Sequence, residues 1–231
     1  MTTQRPDKPP NSAAREKKPV ALENRDDMAD GRLFSPSAAR NREVIRDVWL
    51  KEGVTSGRVL EIGSGTGEHA MAIMKACPDL EWIASDLDPA SRASVAAWAQ
   101  YEGVEDRLVG PLALDASTPP GSWGVEPGLS ALYCANMIHI SPWVAGRGVI
   151  AGAGALLKPG GRLFFYGPFS RDGVHISQSN ADFDVSLKSR DPSWGVRDLE
   201  RDVVPVAGTA GLELKAVHQM PANNLVMVFE K

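Results

Sequence analysis

The stretch Val59-Leu60-Glu61-Ile62-Gly63-Ser64-Gly65-Thr66-Gly67-Glu68-His69-Ala70 decides the fold, because an apolar strand runs into a glycine-rich turn that opens directly into a helix. Glycine allows backbone angles and close approaches that a Cβ atom would forbid. The start of the following helix offers free N–H groups to a polar ligand. The turn therefore predicts a site for a nucleotide-like cofactor, although a plain strand-to-helix turn can carry the same pattern.

The spacing of the glycines narrows the choice of cofactor. Gly63, Gly65 and Gly67 alternate, whereas the dinucleotide fingerprint GxGxxG requires a glycine where this chain has Glu68. A carboxylate at that point would repel a pyrophosphate. The turn therefore favours a cofactor that carries a ribose and an amino-acid tail but no phosphate, which is S-adenosylmethionine. A nucleotide-dependent oxidoreductase is the weaker alternative.

Composition limits the classes of protein and partner. The chain has 231 residues, of which 43% are hydrophobic, so it can bury one full domain core. Its net charge of −4 and its lack of a basic run give no indication of nucleic-acid binding. Cys77 and Cys134 form neither a disulfide framework nor a metal motif, so we expect no metal. With no apolar run of about 18 residues and no signal-peptide core, we expect a cytoplasmic protein without a membrane segment.

Two regions are distinguished along the chain. Residues 1–32 are rich in proline and charge and poor in large apolar side chains, which predicts a disordered tail. Residues 33–231 alternate between strand-like and helix-like segments, beginning with a helix from Ser35-Pro36 to Gly53. This order predicts an α/β domain with a doubly wound, mostly parallel, Rossmann-like sheet and a C-terminal antiparallel hairpin. Strands are predicted at 57–63, 81–86, 108–114, 129–135, 162–166, 212–220 and 225–229, and further helices at 66–76, 89–102, 142–157 and 197–210.

Two aspartates follow predicted strands, where ligands bind in such sheets. Asp86 can accept hydrogen bonds from both hydroxyls of a ribose, while Asp88 is the better candidate for capping the next helix. Asp115 can accept from an adenine amine, but a surface-turn aspartate explains it equally well.

With these features in order, the chain resembles the class I S-adenosylmethionine-dependent methyltransferases, and in detail the methyltransferase-like 26 family. The resemblance covers about residues 33–231, and it implies the fold and the cofactor but no settled substrate. It gives cofactor roles to Glu61, Gly63, Gly65, Asp86 and Asp115, with Glu61 near the amino-acid end. We place Ser64, Thr66, Gly67 and Asn136 in the same site. The segments that carry the detailed resemblance are Ser35-Pro36-Ser37-Ala38-Ala39-Arg40-Asn41-Arg42, Gly65-Thr66-Gly67-Glu68-His69, Asn136-Met137-Ile138-His139-Ile140-Ser141-Pro142-Trp143, Leu157-Lys158-Pro159-Gly160-Gly161, Tyr166-Gly167-Pro168-Phe169 and Met220-Pro221-Ala222-Asn223-Asn224.

Candidate catalytic residues follow the fourth predicted strand. Asn136 stands where amino-methylating relatives often carry an Asp or Asn that accepts from the target amine. His139 could relay a proton or orient an acceptor hydroxyl. The alternative for His139 is a structural histidine that is hydrogen-bonded to backbone.

The segment 168–197 interrupts the strand and helix alternation, and it is rich in aromatic and polar side chains. A connection of this length is usually functional or disordered, and the aromatic residues argue against disorder. We expect it to form the acceptor pocket and its lid, with decoration of the sheet edge as the alternative. The candidate acceptor residues, including two from the first helix, are Arg40, Asn41, Tyr166, His175, Asn180, Trp194 and Arg197.

These observations predict an enzyme that transfers a methyl group from S-adenosylmethionine to a small-molecule oxygen, nitrogen or sulfur by direct in-line displacement. Positioning and desolvation can supply much of the acceleration in such a reaction. The alternative is a non-catalytic cofactor-binding or interaction protein on the same fold, because fold alone does not settle function.

Overall fold

The computed structural model describes residues 25–231 as a three-layer α/β domain. Its strands are β1 (Asp26–Asp27), β2 (Leu33–Phe34), β3 (Ser56–Glu61), β4 (Asp79–Ser85), β5 (Leu108–Leu112), β6 (Leu129–Ala135), β7 (Leu157–Gly167), β8 (Ser170–Arg171), β9 (Val174–His175), β10 (Glu213–Met220) and β11 (Asn224–Glu230). Its helices are α1 (Pro36–Lys51), α2 (Glu68–Ala76), α3 (Pro89–Glu102), α4 (Trp143–Leu156), α5 (Gln178–Arg190) and α6 (Val204–Thr209).

Seven strands form the central sheet in the order β10-β11-β7-β6-β3-β4-β5. The five strands from β7 to β5 are parallel, and β11 runs antiparallel to both of its neighbours. The predicted doubly wound sheet with a terminal hairpin is therefore confirmed. Because the chain leaves β3 toward β4 and later returns to β6 on the other side, the strand order reverses between β3 and β6, which places a ligand crevice there.

Alternate residues of each central strand face opposite helical layers, as the two-residue period of a strand requires. Leu60 and Phe165 pack in the cluster that includes α4 and α6. Val59 and Phe164 pack in the opposite cluster with α1, α2 and α3. Trp49 lies at the centre of that second cluster, with its ring 4.4 Å from that of Phe164. Both faces of the sheet are thus buried, and this packing holds the carboxyl ends of the strands in place.

The helix starts follow the signals in the sequence. Ser35 caps α1, since its hydroxyl accepts from the N–H of Ala38. Asp88 caps α3, and its carboxylate accepts from the N–H groups of Ala90 and Ser91. The sequence predicted that Asp88 caps the helix and that Asp86 has another role, and the capping geometry agrees with this prediction.

The predicted tail needs a correction over residues 25–32. Residues 1–24 lie outside the described part of the chain, but β1 and β2 pair as a short hairpin. The guanidinium of Arg32 lies 4.4 Å from the ring centroid of Trp98 and 3.4 Å from that of Tyr101. Because these partners belong to α3, the composition of the segment alone gave no sign of its docking.

Two other segments differ from the prediction in detail. The segment 168–197 contains a small hairpin, β8 and β9, followed by the helix α5. The predicted helix at 197–210 is divided into a π-helical turn, Leu199–Val203, and α6, where Pro205 occupies the first turn. Proline is tolerated there because the first N–H groups of a helix need no intrahelical acceptor. Within residues 25–231, no helix is long and apolar enough to cross a membrane.

Candidate functional site

A cavity of about 1370 Å³ lies at the carboxyl ends of the parallel strands, where the strand order reverses. Twelve of the residues that the sequence analysis assigned to the site border it. They are Asn41, Gly63, Ser64, Gly65, Thr66, Asp86, Asp115, Asn136, His139, Tyr166, Asn180 and Trp194. Five assigned residues lie outside its wall, namely Arg40, Glu61, Gly67, His175 and Arg197.

The three glycines of the turn have different surroundings. A Cβ atom on Gly63 would come within 3.0 Å of the Met137 side chain, and one on Gly67 within 3.0 Å of the Val95 backbone. On Gly65 the same atom would meet only the Arg25 guanidinium, at 3.8 Å. Gly63 and Gly67 therefore allow close packing of the protein on itself, while Gly65 exposes its backbone to the cavity. Gly67 does not border the cavity, and its close approach to Val95 gives it a packing role.

Asp86 lies half-buried beyond the end of β4 and is held by backbone on both oxygens. Its Oδ2 accepts from the N–H of Gly65 at 2.9 Å, and its Oδ1 accepts from the N–H of Asp88 at 2.9 Å. Burial raises the pKa of Asp86, while these two N–H groups act in the opposite direction. Each carboxylate oxygen keeps a further lone pair, so the oriented group can accept from the two hydroxyls of a ribose.

Asp115 forms a local turn after β5, the strand next to β4. Its Oδ1 accepts from the N–H of Ser117 at 2.8 Å and from the hydroxyl of Ser117 at 2.7 Å. This is the turn that the sequence allowed as an alternative, and the same residue borders the cavity. The structure therefore shows the turn, and the contact of Asp115 with an adenine amine stays a prediction.

Glu61 lies behind the turn rather than in the cavity. Its side chain is 1% exposed, and its Oε2 accepts from the indole N–H of Trp82 at 3.0 Å. Burial raises the pKa of Glu61 to about 7. The Ser64 hydroxyl and the indole N–H of Trp82 hold the carboxylate from within the core, and its expected place near the amino-acid end of a cofactor stays a prediction.

The raised pKa of Glu61 leads to a prediction about stability. The unfolded chain loses the proton of Glu61 near pH 4.5, whereas the folded protein holds it up to a pH of about 7. The contribution of the protonated Glu61 to stability is therefore complete below pH 4.5 and is lost as the pH rises to 7. We expect Glu61→Gln to raise the free energy of unfolding by about 1 to 3 kcal/mol at pH 8, with no gain at pH 4.5. Urea unfolding across this range measures the difference. Glu81→Gln, at an exposed position on β4, is the control, and equal effects of Glu61→Gln at all pH values would contradict the prediction.

Asn136 follows β6 in a left-handed conformation, with φ of 58°. Its N–H donates to the carbonyl of Tyr166 at 2.8 Å, and its carbonyl accepts from the N–H of His139 at 3.1 Å. A positive φ is uncommon for a residue other than glycine, and such strain concentrates at functional sites. The backbone thus places Asn136 at the end of β6, on the wall of the cavity.

His139 has the hydrogen-bonding pattern of a structural residue. It is 1% exposed, and its Nδ1 accepts from the N–H of Arg197 at 3.3 Å. Its ring hydrogen therefore lies on Nε2, which has no partner within residues 25–231. Burial, with the charge of Arg197, lowers the pKa of His139 to about 3. His139 can donate a hydrogen bond, but its Nε2 cannot take a proton from an acceptor, so the proposed proton relay is corrected.

Arg197 donates to three backbone carbonyls. Its guanidinium donates to the carbonyls of Ile138 at 3.0 Å, Ser141 at 2.8 Å and Ser193 at 3.0 Å. This arginine therefore joins the segment after β6 to the segment 168–197. Of the other acceptor candidates outside the cavity wall, Arg40 is exposed on α1 with its charge acting on Tyr166, and the Nε2 of His175 lies 3.6 Å from Asp184.

A polar network covers the wall formed by α1, α2, β7 and β11. The Nε2 of His69 lies 2.7 Å from Asn41 Oδ1, and Asn41 Nδ2 donates to the hydroxyl of Tyr166 at 3.1 Å. Asn224 Nδ2 donates to the same hydroxyl at 3.0 Å. His69 and Asn224 were not among the predicted site residues. The signal available for His69 was its place directly after the glycine turn.

The segment 168–197 supplies part of the cavity wall. Phe183, Arg190 and Trp194 border the cavity. Asn180 is 4% exposed, and its Nδ2 donates to the carbonyl of Asn223 at 2.9 Å, which ties α5 to the turn of the terminal hairpin. The segment therefore forms a wall of the cavity as well as packing on the sheet edge.

Comparisons with known proteins agree with this architecture. The chain is 29% identical over 130 residues to a malonyl-[acyl-carrier protein] O-methyltransferase of Alcanivorax borkumensis, a match that covers 56% of this chain and 41% of the relative. An O-methyltransferase family protein from Burkholderia thailandensis superposes with a TM-score of 0.72 at 18% identity, covering 84% of this chain and 57% of that one. A putative O-methyltransferase from Nostoc punctiforme gives 0.74 at 16% identity, covering 85% and 57%.

This chain spans somewhat more than half of those solved structures and less than half of the curated relative. The likeness to the solved structures shows the fold, which is the Rossmann-like fold of class I methyltransferases. A family model described as a protein of unknown function, DUF938, matches residues 32–231. Because that match spans most of the chain, the protein belongs to the DUF938 family.

Proposed function

We propose that this protein is an S-adenosylmethionine-dependent methyltransferase that acts on a small-molecule acceptor by direct in-line displacement. The observation that carries the proposal is the open backbone of Gly65 beside the oriented carboxylate of Asp86, both at the wall of one cavity. The cavity of about 1370 Å³ exceeds the range of about 300 to 1,000 Å³ that is typical of single-ligand sites. It offers room for a cofactor and an acceptor together.

The residues at the turn fit this cofactor. Gly63, Ser64, Gly65 and Thr66 would hold its amino-acid portion, and Asp86 would hold its ribose, with Asp115 in reach of the adenine amine. When bound, S-adenosylmethionine supplies a methyl group on a positively charged sulfur, which leaves as a neutral thioether when an acceptor atom gives an electron pair to the methyl carbon. The detailed resemblance to the methyltransferase-like 26 family is part of the same proposal.

The acceptor would bind between the polar network and the aromatic wall. Asn41, Asn136, Tyr166, Asn180 and Trp194 all border the cavity. The names of the relatives, which are O-methyltransferases, favour oxygen as the atom that receives the methyl group. Positioning of that atom and exclusion of water are the contributions that these residues can make.

Two experiments test the proposal. S-adenosylhomocysteine should raise the melting temperature of the purified protein, and NAD should not. A screen of small-molecule acceptors with methyl-labelled S-adenosylmethionine should then find a labelled product. Binding without transfer to any acceptor would favour the alternative, a non-catalytic cofactor-binding protein on this fold, and stabilisation by NAD alone would overturn the cofactor assignment.

Trp194 provides a test of the acceptor side. We expect Trp194→Ala to lower methyl transfer by about tenfold or more, while the affinity for S-adenosylhomocysteine stays within about threefold, because cofactor binding and acceptor positioning are separable. Trp194 is a better choice than Asn180, whose replacement also removes the hydrogen bond to Asn223.

The matched control for Trp194→Ala is Val185→Ala, since Val185 lies in the same segment but is 68% exposed. Calorimetry and the labelled-transfer assay are run on each variant. A parallel loss of affinity and transfer in Trp194→Ala would place this residue in the cofactor site, and no change in either would make the segment a decoration of the sheet.

A further inference from the structure

His69 is a titratable side chain at the cavity wall to which the proposed function gives no role. It follows the glycine turn in the first turn of α2 and is half-buried. Its side chain borders the same cavity as the aromatic residues Phe183 and Trp194 of the segment 168–197. The ring also packs edge-on against Tyr133 and Tyr166, with centroids 6.2 and 6.3 Å away, so its orientation is fixed.

The hydrogen bonds determine which nitrogen of His69 carries the hydrogen. Asn41 Nδ2 is used as a donor to the Tyr166 hydroxyl, so the group that faces His69 is the carbonyl oxygen Oδ1. A carbonyl oxygen only accepts, and His69 Nε2, at 2.7 Å, must therefore be the donor. A neutral imidazole with its hydrogen on Nε2 has a free lone pair on Nδ1.

The charge state of His69 keeps this lone pair available. Burial, with a smaller effect of the Arg42 charge, lowers the pKa of His69 to about 4. Arg42 itself lies 3.3 Å from the buried carboxylate of Glu68. The imidazole is therefore neutral near pH 7, and its Nδ1 has no hydrogen-bond partner within the described residues. His139, by contrast, uses its Nδ1 lone pair on the backbone of Arg197.

We propose that His69 Nδ1 accepts the proton of a hydroxyl group on the methyl acceptor, and that the acceptor is a hydroxylated aromatic compound whose ring lies between Phe183 and Trp194. This inference rests on the proposed methyl transfer. As the O–H bond breaks, its electron pair stays on oxygen and forms the new bond to carbon, and the proton forms a bond to Nδ1. The imidazolium then releases the proton to water. Asn41 is a positioning residue, because its Oδ1 holds the Nε2–H and keeps the lone pair on Nδ1.

The test reads the state of the His69 ring directly. The chain contains four histidines, so a protein labelled with ¹⁵N in its histidine rings gives few signals, and the spectrum of His69→Gln identifies those of His69. In the complex with S-adenosylhomocysteine at pH 7, we expect a hydrogen on Nε2 and none on Nδ1. Added phenol should shift the Nδ1 resonance, and anisole, which lacks the hydroxyl hydrogen, should not. A hydrogen on Nδ1, or equal responses to phenol and anisole, would overturn the proposal.

Kinetics on an acceptor found by the labelled screen provide a second measurement. His69→Gln should lower kcat by about 100-fold, within the range typical of general-base catalysis, and leave the affinity for S-adenosylhomocysteine within about threefold. His175→Gln is the matched control, because His175 lies outside the cavity wall. An unchanged kcat in His69→Gln would contradict the proposal. If S-adenosylhomocysteine does not bind at all, the proposed function fails, while the comparison of phenol with anisole on the free protein still decides the role of His69.

Discussion

Replacing Gly65 by valine is expected to abolish measurable binding of S-adenosylhomocysteine and to leave a folded protein. Among residues 25–231, and apart from its two chain neighbours, only the Arg25 guanidinium lies within 4 Å of the place where a Cβ atom would stand on Gly65. That space belongs to the cavity, so a branched side chain there occupies the volume that the cofactor needs without displacing the core. We expect a loss of about 100-fold or more, equivalent to about 2.7 kcal/mol of binding free energy, in isothermal titration calorimetry.

The control for this experiment separates steric exclusion from backbone strain. Gly65 has φ of +56°, a conformation that valine adopts only at a cost of about 1 to 3 kcal/mol. Gly124 has φ of +68°, also has open space around it, and is exposed on a turn away from the cavity. Gly124→Val should therefore lose a similar amount of stability and keep full affinity. Full affinity in Gly65→Val, with a normal circular dichroism spectrum, would remove this turn from the cofactor site.

The sheet, most helix boundaries and the cofactor turn could be predicted because their signals are local. The capping residue Ser35 and the terminator Gly53 bound α1, and Asp88 bounds α3 in the same way. The strands that meet at the crevice carry buried apolar residues toward their carboxyl ends, Val59 and Leu60 in β3 and Leu132 to Cys134 in β6, which is typical of a parallel sheet covered on both faces. β6 is buried over its first six residues, and this burial is visible in its composition alone.

The helix α5 could not be predicted because its stability comes from distant partners. Its buried residues are Asn180, Asp184 and Leu187, which do not form an apolar stripe. The carboxylate of Asp184 accepts from the N–H of Val196, and Asn180 donates to the hairpin turn at Asn223. A helix held by polar contacts has no hydrophobic period, so periodicity predicted an irregular segment here.

His69 was missed for a related reason. Its role depends on hydrogen bonds among Asn41, Tyr166 and Asn224, which come from three elements far apart in the chain. His139, which the sequence favoured, lies at the expected strand end, but a backbone N–H occupies its Nδ1. Both histidines lie near the cavity because of their positions in the sequence. Their hydrogen-bond partners distinguish His69, the proposed base, from His139, a structural residue.

Asp86→Ala is expected to weaken S-adenosylhomocysteine binding by about 1.5 to 3 kcal/mol, or about 10- to 150-fold, through loss of charge-assisted bonds to the ribose hydroxyls. The carboxylate is already oriented by the N–H groups of Gly65 and Asp88, so little order is lost when it accepts further bonds. Asp86→Asn keeps the shape and one acceptor oxygen but loses the charge. We therefore expect an intermediate loss of affinity for that variant.

The neighbouring Asp88 provides a direct comparison, because both aspartates follow β4 and only Asp88 caps a helix. Asp88 caps α3 through the N–H groups of Ala90 and Ser91, so Asp88→Ala should cost about 1 kcal/mol of folding stability and leave the affinity within about threefold. The carboxylate of Asp86 also accepts from the N–H of Gly65. Removing this carboxylate therefore leaves the glycine turn less restrained beside the proposed cofactor site. If calorimetry finds the larger loss of affinity in Asp88→Ala, the ribose contact belongs to Asp88, and the orientation of Asp86 serves only to close the turn.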